Sequence, residues 1–412
     1  MIGIILNYRS KFKKSFILKC KNFKLVQFRL RKLTIEPESL NNIRSYCILI
    51  MNKIKIGVCG ATGVVGQNYI KLLQGHPWFQ IVDVAASPRS AGKTYAEAAG
   101  PKWQMSISIP DSVKDLIVRD VQDFESIPDD LSFVFSAITM PTKDQIKEVE
   151  FKYAEKGIPV ISNNSANRWT PDVPMFIGEI NHKHADVIPI QQKKRGFDKG
   201  FVVVKPNCSL QSYLTATYAI EAAGYKIDKL IITTLQAVSG AGYPGVPSLD
   251  VVDNIVPYIS GEEEKTEQEP LKILGRVGEN GIIHDDSIQI SATCTRVPVI
   301  DGHTASVNMK FKDKIPAKEE IIKIWNEFKS LPQELDLPFA PKRPIIYLEN
   351  IDRPQPKKDR DNDKGMAVSV GRLRKDNVFD YKFVALSHNT VRGAAGGSIL
   401  TAELLKAKGF IK

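Results

Sequence analysis

The stretch KIKIGVCGATGVVGQNYIKLLQGHP, residues 53–77, decides the fold of this chain. It starts with an apolar run, continues through three glycines (Gly60, Gly63 and Gly66) and ends in an amphipathic segment. An apolar strand, a glycine-rich turn and an amphipathic helix form the start of a βαβ unit. A second apolar strand, QIVDVAAS at residues 80–87, follows directly.

The same alternation continues along the first half of the chain. The strand-like LSFVFSAI precedes the helical TKDQIKEVEFKYAEKG, and the strand-like IPVISNN follows it. Alternating strands and helices predict a parallel, doubly wound sheet with helices on both faces. The sequence therefore predicts an α/β fold in which residues 51–205 form a Rossmann-type dinucleotide-binding domain.

The second half is richer in strands, among them KLIITTLQAV, IQISATCTRVPV and YKFVALS. This change predicts a second domain over residues 206–385, an α+β domain with a mixed or antiparallel sheet. Two polar stretches, residues 191–200 and 355–365, are rich in charge and contain glycine. They are predicted to be surface loops.

The glycine pattern suits a dinucleotide because bare backbone can approach a pyrophosphate at a helix N-terminus. The spacing, GxxGxxG, differs from the usual GxGxxG, and a simple tight turn is the alternative. The flanking strand and helix favour the dinucleotide. The predicted contacts in this turn are Gly60, Thr62, Gly63, Val64, Val65 and Gly66.

The end of the second strand indicates which dinucleotide binds. NAD-binding proteins usually place an acid there for the ribose 2′-hydroxyl, whereas this chain has SPRSAGK, residues 87–93. Its two cations suit a 2′-phosphate, so NADP(H) is the predicted cofactor, although exposed loop charges are the alternative. Asp83 lies inside the apolar strand and is interpreted as structural. The predicted contacts here are Ser87, Arg89, Ser90 and Lys93.

Cys208 lies in FVVVKPNCSL, between an apolar strand and SLQSYLTATYAIEAAG, which reads as a helix ending at Gly224. A thiol at a helix N-terminus feels free backbone N–H groups and a partial positive charge, which lower its pKa. Cys208 is therefore predicted to be a nucleophile, with a buried structural cysteine as the alternative.

Composition excludes several classes of protein. At 412 residues with 43% apolar content, the chain is long enough for two globular domains. Residues 1–50 hold eleven Lys or Arg and two acids, so their net charge of +9 leaves only +2 for residues 51–412. We expect no nucleic-acid partner and, with no long apolar run, no membrane span. The five cysteines show neither a metal-ligand spacing nor a disulfide pattern, so we expect no metal and a reducing, cytoplasmic location.

The basic extension, residues 1–50, lacks the patterning of the remaining chain. It resembles a transit peptide in having few acids, but it is rich in Lys rather than in Arg and Ser. The favoured interpretation is that Met51 is the true start, so that the extension is disordered or not native.

From about Lys53 to its C-terminus the chain resembles the aspartate-semialdehyde dehydrogenase family, in particular its archaeal and fungal branch. The resemblance rests on eight ordered motifs: GATGVVG, SPRSAGK, NNSANRW, PNCS, TTLQAVSGAGYPG, EPLK, RVPVIDGH and HNTVRGAAGG. It implies a glyceraldehyde-3-phosphate-dehydrogenase-like fold with a catalytic and dimerisation domain. It also implies that residues 386–412 form a helix returning to the dinucleotide-binding domain.

The activity implied by the resemblance is NADPH-dependent reductive dephosphorylation of aspartyl β-phosphate to aspartate β-semialdehyde, on the route to lysine, threonine and methionine. Cys208 would form a thioester, and His303 would act as general acid/base. Gln236 would orient the substrate. The implied substrate-binding residues are Arg296 for the carboxylate, Glu269 for the ammonium, Lys272 and Arg168 for the phosphate, and Asn207 beside the nucleophile. The implied contacts near the nicotinamide are Ser239, Gly240 and Asn389.

Glu269 is followed by Pro270, which disfavours helical geometry at Glu269. The alternatives to ammonium binding by Glu269 are therefore a helix cap or an ordinary ion pair with Lys272.

The rival activities are malonyl-CoA reductase, N-acetylglutamyl-phosphate reductase and a catalytically silent NADP-sensing regulator. The resemblance also implies a homo-oligomer, a dimer or a tetramer.

Overall fold

The computed structural model describes residues 53–412 in full, and of the first 52 residues only the backbone of three short strands. These strands form an antiparallel sheet in the order β1-β2-β3, with β1 at Gly3–Ile5, β2 at Ser15–Lys19 and β3 at Gln27–Arg29. No secondary structure is predicted for this segment, so the strands correct that expectation. The predictions of a transit peptide or of a start at Met51 fall on residues outside the described part.

Six parallel strands form the first large sheet, in the order β6-β5-β4-β7-β8-β9. Their bounds are β4 Ile54–Cys59, β5 Phe79–Ala86, β6 Val118–Asp120, β7 Phe133–Ser136, β8 Val160–Ser162 and β9 Val202–Val204. The direction of winding reverses between β4 and β7, and ligands of doubly wound sheets bind at the carboxyl ends of the strands at this point. The prediction of a Rossmann-type α/β sheet is confirmed.

Helices flank this sheet. Their bounds are α1 Val64–Leu72, α2 Tyr95–Ala99, α3 Asp111–Lys114, α4 Lys143–Glu155, α5 Gly178–Asn181 and α6 Ile188–Arg195, with 3₁₀ turns at Gly100–Lys102 and His182–Val187. The loop predicted for residues 191–200 is partly wrong, because α6 extends to Arg195 before the left-handed Gly196 ends it. Two contacts bind α6 to the domain: Gln191 donates to the carbonyl oxygen of Val202, and Arg195 pairs with Asp172.

The second large sheet is mixed, in the order β13-β10-β14-β17-β16-β15. Its strands are β10 Ile227–Gln236, β13 Gln289–Arg296, β14 His303–Phe311, β15 Ile345–Leu348, β16 Val368–Lys375 and β17 Tyr381–Ser387, and a separate hairpin joins β11 Arg276–Gly278 to β12 Gly281–Ile283. The pairs β10/β13 and β15/β16 are parallel and the others antiparallel. The prediction of a mixed sheet is confirmed.

The helices of the second half are α7 Leu214–Ala222, α8 Ser248–Val251, α9 Glu262–Leu274, α10 Lys318–Glu327, α11 Leu331–Glu334, α12 Pro356–Asp359 and α13 Gly396–Ala407. Short 3₁₀ turns lie at Ser209–Ser212, Val238–Ala241 and Asn362–Gly365, and a π turn lies at Val391–Ala395. The stretch 355–365 thus contains two short helical segments and is not wholly a loop.

The expectation that Pro270 disturbs the helix at Glu269 is wrong, because α9 passes through Pro270 without a break. A proline has no N–H for the carbonyl four residues earlier, here that of Thr266. The Tyr213 hydroxyl donates to this carbonyl at 3.2 Å and replaces the missing bond. The helix therefore continues to Lys272 and beyond.

Helix α13 packs on the first sheet although it follows the second in sequence. Its Ile399, Ala402 and Leu405 belong to the same buried cluster as Val58 and Phe133 of that sheet. Within the described residues, no helix is both long and apolar enough to cross a membrane.

Candidate active site

Cys208 lies in the turn after β9, but the segment that follows is not a single helix. Cys208 precedes the 3₁₀ turn Ser209–Ser212, and α7 starts only at Leu214. The predicted helix at Cys208 is therefore partly wrong, although Gly224 (φ +94°) does follow its end. A single 3₁₀ turn aligns few peptide dipoles, so it stabilises a thiolate less than a long helix does.

The predicted lowering of the Cys208 pKa is also wrong in direction. Burial, together with the carboxylate of Glu262, raises the pKa of the Cys208 thiol to about 11. The cations Lys205, Arg168 and Arg296 act in the opposite direction. The thiol is therefore protonated at neutral pH, and a proton acceptor is needed before the sulfur can attack.

Three adjacent strands of the second sheet end beside Cys208. Gln236 ends β10 and is paired in parallel register with Arg296, which ends β13. His303 starts β14, the antiparallel neighbour on the other side of β10. Side chains from three strand ends thus converge because strand order places β10 between the other two. The structure brings together the predicted Gln236, Arg296 and His303 with Cys208.

His303 contacts the nucleophile directly, with its Nε2 3.3 Å from the Cys208 Sγ. On the other side of the ring, Nδ1 accepts a hydrogen bond from the backbone N–H of Ala237 at 3.0 Å. An acceptor Nδ1 places the proton of the neutral imidazole on Nε2, where it faces the sulfur. Burial, with help from the nearby Arg296, lowers the pKa of His303 to about 3, so the ring is neutral.

Arg296 and Gln236 are held by their neighbours. The Arg296 guanidinium donates to the carbonyl oxygen of Ala237 at 2.9 Å, which leaves further N–H groups for a ligand. The Gln236 amide donates to Glu262 at 3.1 Å and to the Thr234 hydroxyl at 3.3 Å. Both side chains are therefore fixed in orientation before a substrate arrives.

Glu269, predicted to bind the substrate ammonium, is fully buried and already paired. It accepts from Arg168 at 2.9 Å and from the backbone N–H of Asn207 at 2.6 Å. The predicted phosphate ligands are also occupied, since Arg168 donates in addition to the carbonyl oxygens of Lys205 and Asn163. Lys272 donates to two backbone carbonyl oxygens, and burial lowers its pKa to about 8. These three residues support the wall of the site.

Asn207 is locked in the same wall. Its side-chain oxygen accepts from the backbone N–H and the hydroxyl of Ser209 at 2.8 and 2.6 Å, which fixes the turn that carries Cys208. Its amide nitrogen donates to both oxygens of Glu262, at 2.9 and 3.0 Å. Asn207 thus links the nucleophile turn to an acidic residue that was not predicted.

That residue, Glu262, is the first of α9 and the main addition to the predicted site. Its carboxylate also accepts from Lys265 at 2.7 Å. Burial alone would raise the Glu262 pKa, but Lys265, Gln236 and Asn207 outweigh it and leave the pKa below its usual value. Glu262 is therefore an ionised carboxylate in the same site as Cys208 and Arg296, whose pKa values it affects.

The glycine turn after β4 fits a dinucleotide. Gly60 has φ +79°, and a Cβ there would lie 2.3 Å from the Ala137 carbonyl oxygen. A Cβ at Gly66 would lie 2.2 Å from the Gly60 carbonyl oxygen, so both glycines are required by packing. Gly63 is exposed before α1 and meets only an ordinary contact at 3.5 Å, which leaves the helix N-terminus accessible. Thr62, Val64 and Val65 are half-buried beside it.

A cavity of ≈ 220 Å³ adjoins this turn, between Gly60, Ala86, Ser87 and Thr139. Ser87 begins the predicted NADP-selecting segment, in which Arg89 and Lys93 are exposed and Ser90 is half-buried. Asp83 is buried and paired with Arg119 at 2.8 Å, so its structural interpretation is confirmed. The cavity wall carries no acid at the position that NAD-binding proteins use.

The remaining predicted cofactor residues lie near Arg296 and His303. Asn389 donates from its amide to the Ser239 hydroxyl at 2.8 Å and accepts from the backbone N–H of Gly302. A Cβ at Gly240 would lie 3.0 Å from the Arg296 guanidinium and 3.1 Å from the His303 ring. Ser239, Gly240 and Asn389 therefore border the catalytic groups.

Comparison with known proteins identifies two matching domains. The semialdehyde dehydrogenase NAD-binding domain family matches residues 55–188, and the semialdehyde dehydrogenase dimerisation domain family matches residues 219–392. An aspartate-semialdehyde dehydrogenase of Methanothermobacter thermautotrophicus is 47% identical over 354 residues, 85% of this chain and 99% of that protein. One of Aspergillus fumigatus is 43% identical over 365 residues, 87% of this chain and 99% of that protein.

Solved structures agree with the sequence relatives. The aspartate semialdehyde dehydrogenase of Candida albicans, solved with NADP, has a TM-score of 0.78 and 39% identity, over 87% of this chain and all of that chain. Aspartate semialdehyde dehydrogenase II of Vibrio cholerae has a TM-score of 0.66 and 25% identity, with the same coverage. The resemblance read from the eight motifs is thereby confirmed, and the chain belongs to the aspartate-semialdehyde dehydrogenase family.

Proposed function

We propose that this chain catalyses the NADPH-dependent reductive dephosphorylation of aspartyl β-phosphate to aspartate β-semialdehyde through a thioester on Cys208. The observation that carries the proposal is the 3.3 Å contact between the Cys208 sulfur and His303, at a site where Arg296, Gln236 and Glu262 converge. A nucleophile, a hydrogen-bond donor and a pair of opposite fixed charges are what an acyl phosphate of an amino acid requires.

The fixed charges suit the two ends of an amino acid. The guanidinium of Arg296 binds the α-carboxylate through its planar fork. Glu262 binds the α-ammonium, because it is ionised and close to both the nucleophile and Arg296. This assignment replaces Glu269, whose oxygens are taken by Arg168 and Asn207.

The leaving phosphate needs a cation that is free to move toward it. Lys265 is the candidate, since its side chain is 26% exposed and pairs only with Glu262 among residues 53–412. Lys272 and Arg168 keep a supporting role, because their donors are engaged by backbone carbonyl oxygens and by Glu269.

The dinucleotide would be held at the glycine turn by Gly60 and Gly63 and near the catalytic groups by Ser239 and Asn389. Arg89 and Lys93, both exposed, would bind the 2′-phosphate. NADPH supplies a hydride when it is bound. As the Cys208 sulfur attacks the acyl carbon, its S–H bond breaks and the bond to phosphate breaks, so the proton leaves with the phosphate; the Nε2–H of His303 donates to the oxygen that develops negative charge. Gln236, oriented by Glu262, positions the acyl group.

The rival activities are less well supported. Malonyl-CoA has no ammonium, which would leave the ionised Glu262 without a ligand, and the relatives reported above are named for the semialdehyde. A silent sensor would need none of Cys208, His303, Arg296 and Gln236 in contact.

We further propose a cytoplasmic homodimer or homotetramer formed through the second domain. The matched dimerisation domain supports this proposal, as do Tyr243, Val252, Ile255 and Tyr258, each more than half exposed. If these side chains form one contiguous apolar surface, it is of the kind that protein interfaces cover. Light scattering of the purified protein distinguishes two chains from four.

The test of the reaction is the reverse assay. The protein is mixed with aspartate semialdehyde, phosphate and NADP, and absorbance from NADPH is expected to rise only when phosphate is present. Cys208→Ser should remove this signal and leave NADPH binding intact. A signal independent of phosphate, or turnover with malonyl-CoA instead, would contradict the proposed substrate.

A further inference from the structure

The π turn at Val391–Ala395, between β17 and α13, lies against two parts of the site at once. It contacts the 3₁₀ turn that follows Cys208, and it contacts helix α1, which starts at the glycine turn. The N–H of Gly393 donates to the carbonyl oxygen of His388, five residues earlier, at 2.9 Å. This wider hydrogen-bond pattern fits one extra residue into the turn, and π turns of this kind are frequent at functional sites.

Gly393, in the middle of the π turn, packs directly on the nucleophile. A Cβ at Gly393 would lie 2.9 Å from the Cys208 Cβ and 3.4 Å from the Cys208 Cα. Carbon atoms in contact are normally about 3.5–4.0 Å apart, so any side chain at this position would overlap Cys208. The φ angle of Gly393 is outside the left-handed region, so the glycine is required by space and not by backbone conformation.

The π turn is held too firmly to retreat from Cys208, because Arg392 anchors it. Arg392 is buried, and its guanidinium donates to the Glu179 carboxylate and to the Thr215 hydroxyl, each at 3.0 Å. It also donates to the carbonyl oxygen of Met366 at 2.6 Å. Hydrogen bonds of a buried charged group are costly to break, so these three segments fix the position of the turn.

The backbone that carries Cys208 is held from the other side. The side-chain oxygen of Asn207 accepts from the backbone N–H and the hydroxyl of Ser209, at 2.8 and 2.6 Å. The Cys208 Cβ therefore rests between this fixed backbone and Gly393. Its Sγ, one bond further out, lies 3.3 Å from the Nε2 of His303. Where Gly393 stops the Cβ thus determines how the sulfur meets the imidazole.

The segment that contains the π turn is also bonded to the dinucleotide helix. Ser398 lies in α13, which continues from the turn, and its hydroxyl donates to the side-chain oxygen of Asn163 at 3.3 Å. The Asn163 amide donates in turn to the hydroxyl of Tyr69 in α1 at 2.6 Å. The π turn therefore joins the helix proposed to bind the dinucleotide to the turn that carries the nucleophile.

We propose that the π turn at residues 391–395 is a positioning element for the nucleophile, and that Gly393 fixes the Cys208 sulfur relative to His303 and to the bound dinucleotide. The proposal rests on Cys208 being the nucleophile of the reaction proposed above. Gly393 acts through Cys208 and takes no chemical step of its own. A displacement of a reacting group by about 1 Å can lower a rate by about 10²-fold, so a small shift of the turn has a measurable effect.

The kinetic test is Gly393→Ala in the reverse assay. The added methyl should displace the sulfur, so kcat should fall by up to about 100-fold while KM for NADP changes by less than about threefold. Gly178→Ala is the matched control. Gly178 is also buried and precedes the residue that pairs with Arg392, but its Cβ would meet only side-chain atoms at 3.4 and 3.5 Å. This control should keep kcat within about twofold of wild type.

A second measurement tests the contact itself and does not depend on the reaction. Cys208→Gly removes the Cβ that the new methyl would strike, whereas Cys208→Ser keeps it. Gly393→Ala should lower the urea midpoint of unfolding as much in the Cys208→Ser protein as in the wild type. In the Cys208→Gly protein the same change should lower the midpoint by less than about half as much, because the two positions are coupled.

Gly393→Ala with the kcat of the wild type would overturn the proposal, and so would equal losses of stability in the Cys208→Gly and Cys208→Ser proteins. If Gly393→Ala folds too poorly for the assay, recovery of folding in the Cys208→Gly protein supports the proposal and continued misfolding contradicts it. A wild type that is inactive in the reverse assay would remove the proposed function. The stability comparison alone would then decide whether Gly393 fixes Cys208.

Discussion

Two buried ionisable residues, Glu150 in the first domain and Lys205 below the nucleophile, differ in how their charge is satisfied. Glu150 accepts hydrogen bonds from four side chains, those of Ser136, Ser162, Asn164 and Asn167. Lys205 has no hydrogen-bond partner among the described residues from 53 on. Both are at most 2% exposed, so burial alone does not distinguish them.

The difference indicates where the molecule uses polar groups for structure and where it uses them for chemistry. A buried carboxylate with four donors is stabilised in place, and it holds the ends of β7 and β8 to the loop that follows. A buried amine with no partner is costly, and ionisable groups with a strongly shifted pKa cluster at functional sites. We therefore expect changes at Glu150 to affect stability and changes around Cys208 to affect turnover.

The largest effect is expected for Glu262→Gln. It removes the carboxylate that binds the ammonium, so kcat/KM should fall by about 10²–10³-fold. Glu262 also raises the Cys208 pKa, so alkylation of Cys208 should become faster while turnover falls. Steady-state kinetics and the alkylation rate measure the two effects.

Glu269→Gln is the matched control for this change, because it alters the same residue type on the same helix, two turns away. It should lower stability with little change in KM for the semialdehyde. If Glu269→Gln instead raised KM and Glu262→Gln left the kinetics unchanged, Glu269 would again be assigned as the ligand of the substrate ammonium.

Glu150→Gln tests the structural side of the comparison. An amide in place of the carboxylate would turn an N–H group toward its former donors, so the free energy of unfolding should fall by about 3 kcal/mol. Urea unfolding measures the loss, and Cys208 alkylation in the folded variant should stay within about threefold of wild type. A stable Glu150→Gln with slow alkylation would mean that the network acts on the nucleophile.

The pH dependence of stability sharpens the contrast. A buried lysine with a lowered pKa changes the free energy of unfolding in one definite direction as the pH rises. Between the folded pKa of about 7 and the higher unfolded value, the unfolded chain binds more protons, so stability rises with pH. Relative to Lys205→Met, the wild type should gain about 1 kcal/mol per pH unit from pH 7 to about 8.5. Parallel unfolding curves for the two proteins across this range would contradict a lowered Lys205 pKa.

The sequence predicted the fold well because the decisive signals are local. The glycine turn at residues 60–66 and the alternation of strands with helices need only neighbouring residues to be interpreted. Cys208, His303, Arg296 and Gln236 were also found, from short motifs that the family resemblance placed in order.

Glu262, the residue proposed to bind the substrate ammonium, was missed in the sequence for a physical reason. Helix α9 begins with three glutamates, and glutamates at a helix N-terminus are expected simply from the helix dipole. Glu269 and Lys272, three apart, define one helical face, but spacing does not tell which face meets the nucleophile. That depends on how α9 packs against the strand ends. Lys205 was hidden likewise, since burial without a partner is invisible in a sequence.

The smallest effect is expected for Arg89→Ala, which tests an exposed charge that has no ion-pair partner among residues 53–412. Arg89 is exposed in the turn after β5, beside the cavity that Ser87 lines. Loss of its contact with a 2′-phosphate should weaken NADPH binding by about tenfold, or roughly 1.4 kcal/mol, and leave NADH binding unchanged. Fluorescence titration with each dinucleotide measures the ratio.

Lys102→Ala serves as the control for this change, because it removes a cation from an exposed turn of the same domain outside the proposed cofactor site. Equal affinities of Arg89→Ala and wild type for NADPH would remove the 2′-phosphate contact from the proposal. Salt screens the attraction between an exposed cation and a phosphate, so the effect of Arg89→Ala on NADPH affinity should shrink as salt is raised. The effects of changes at the buried Glu150 and Lys205 on the free energy of unfolding should not shrink in this way.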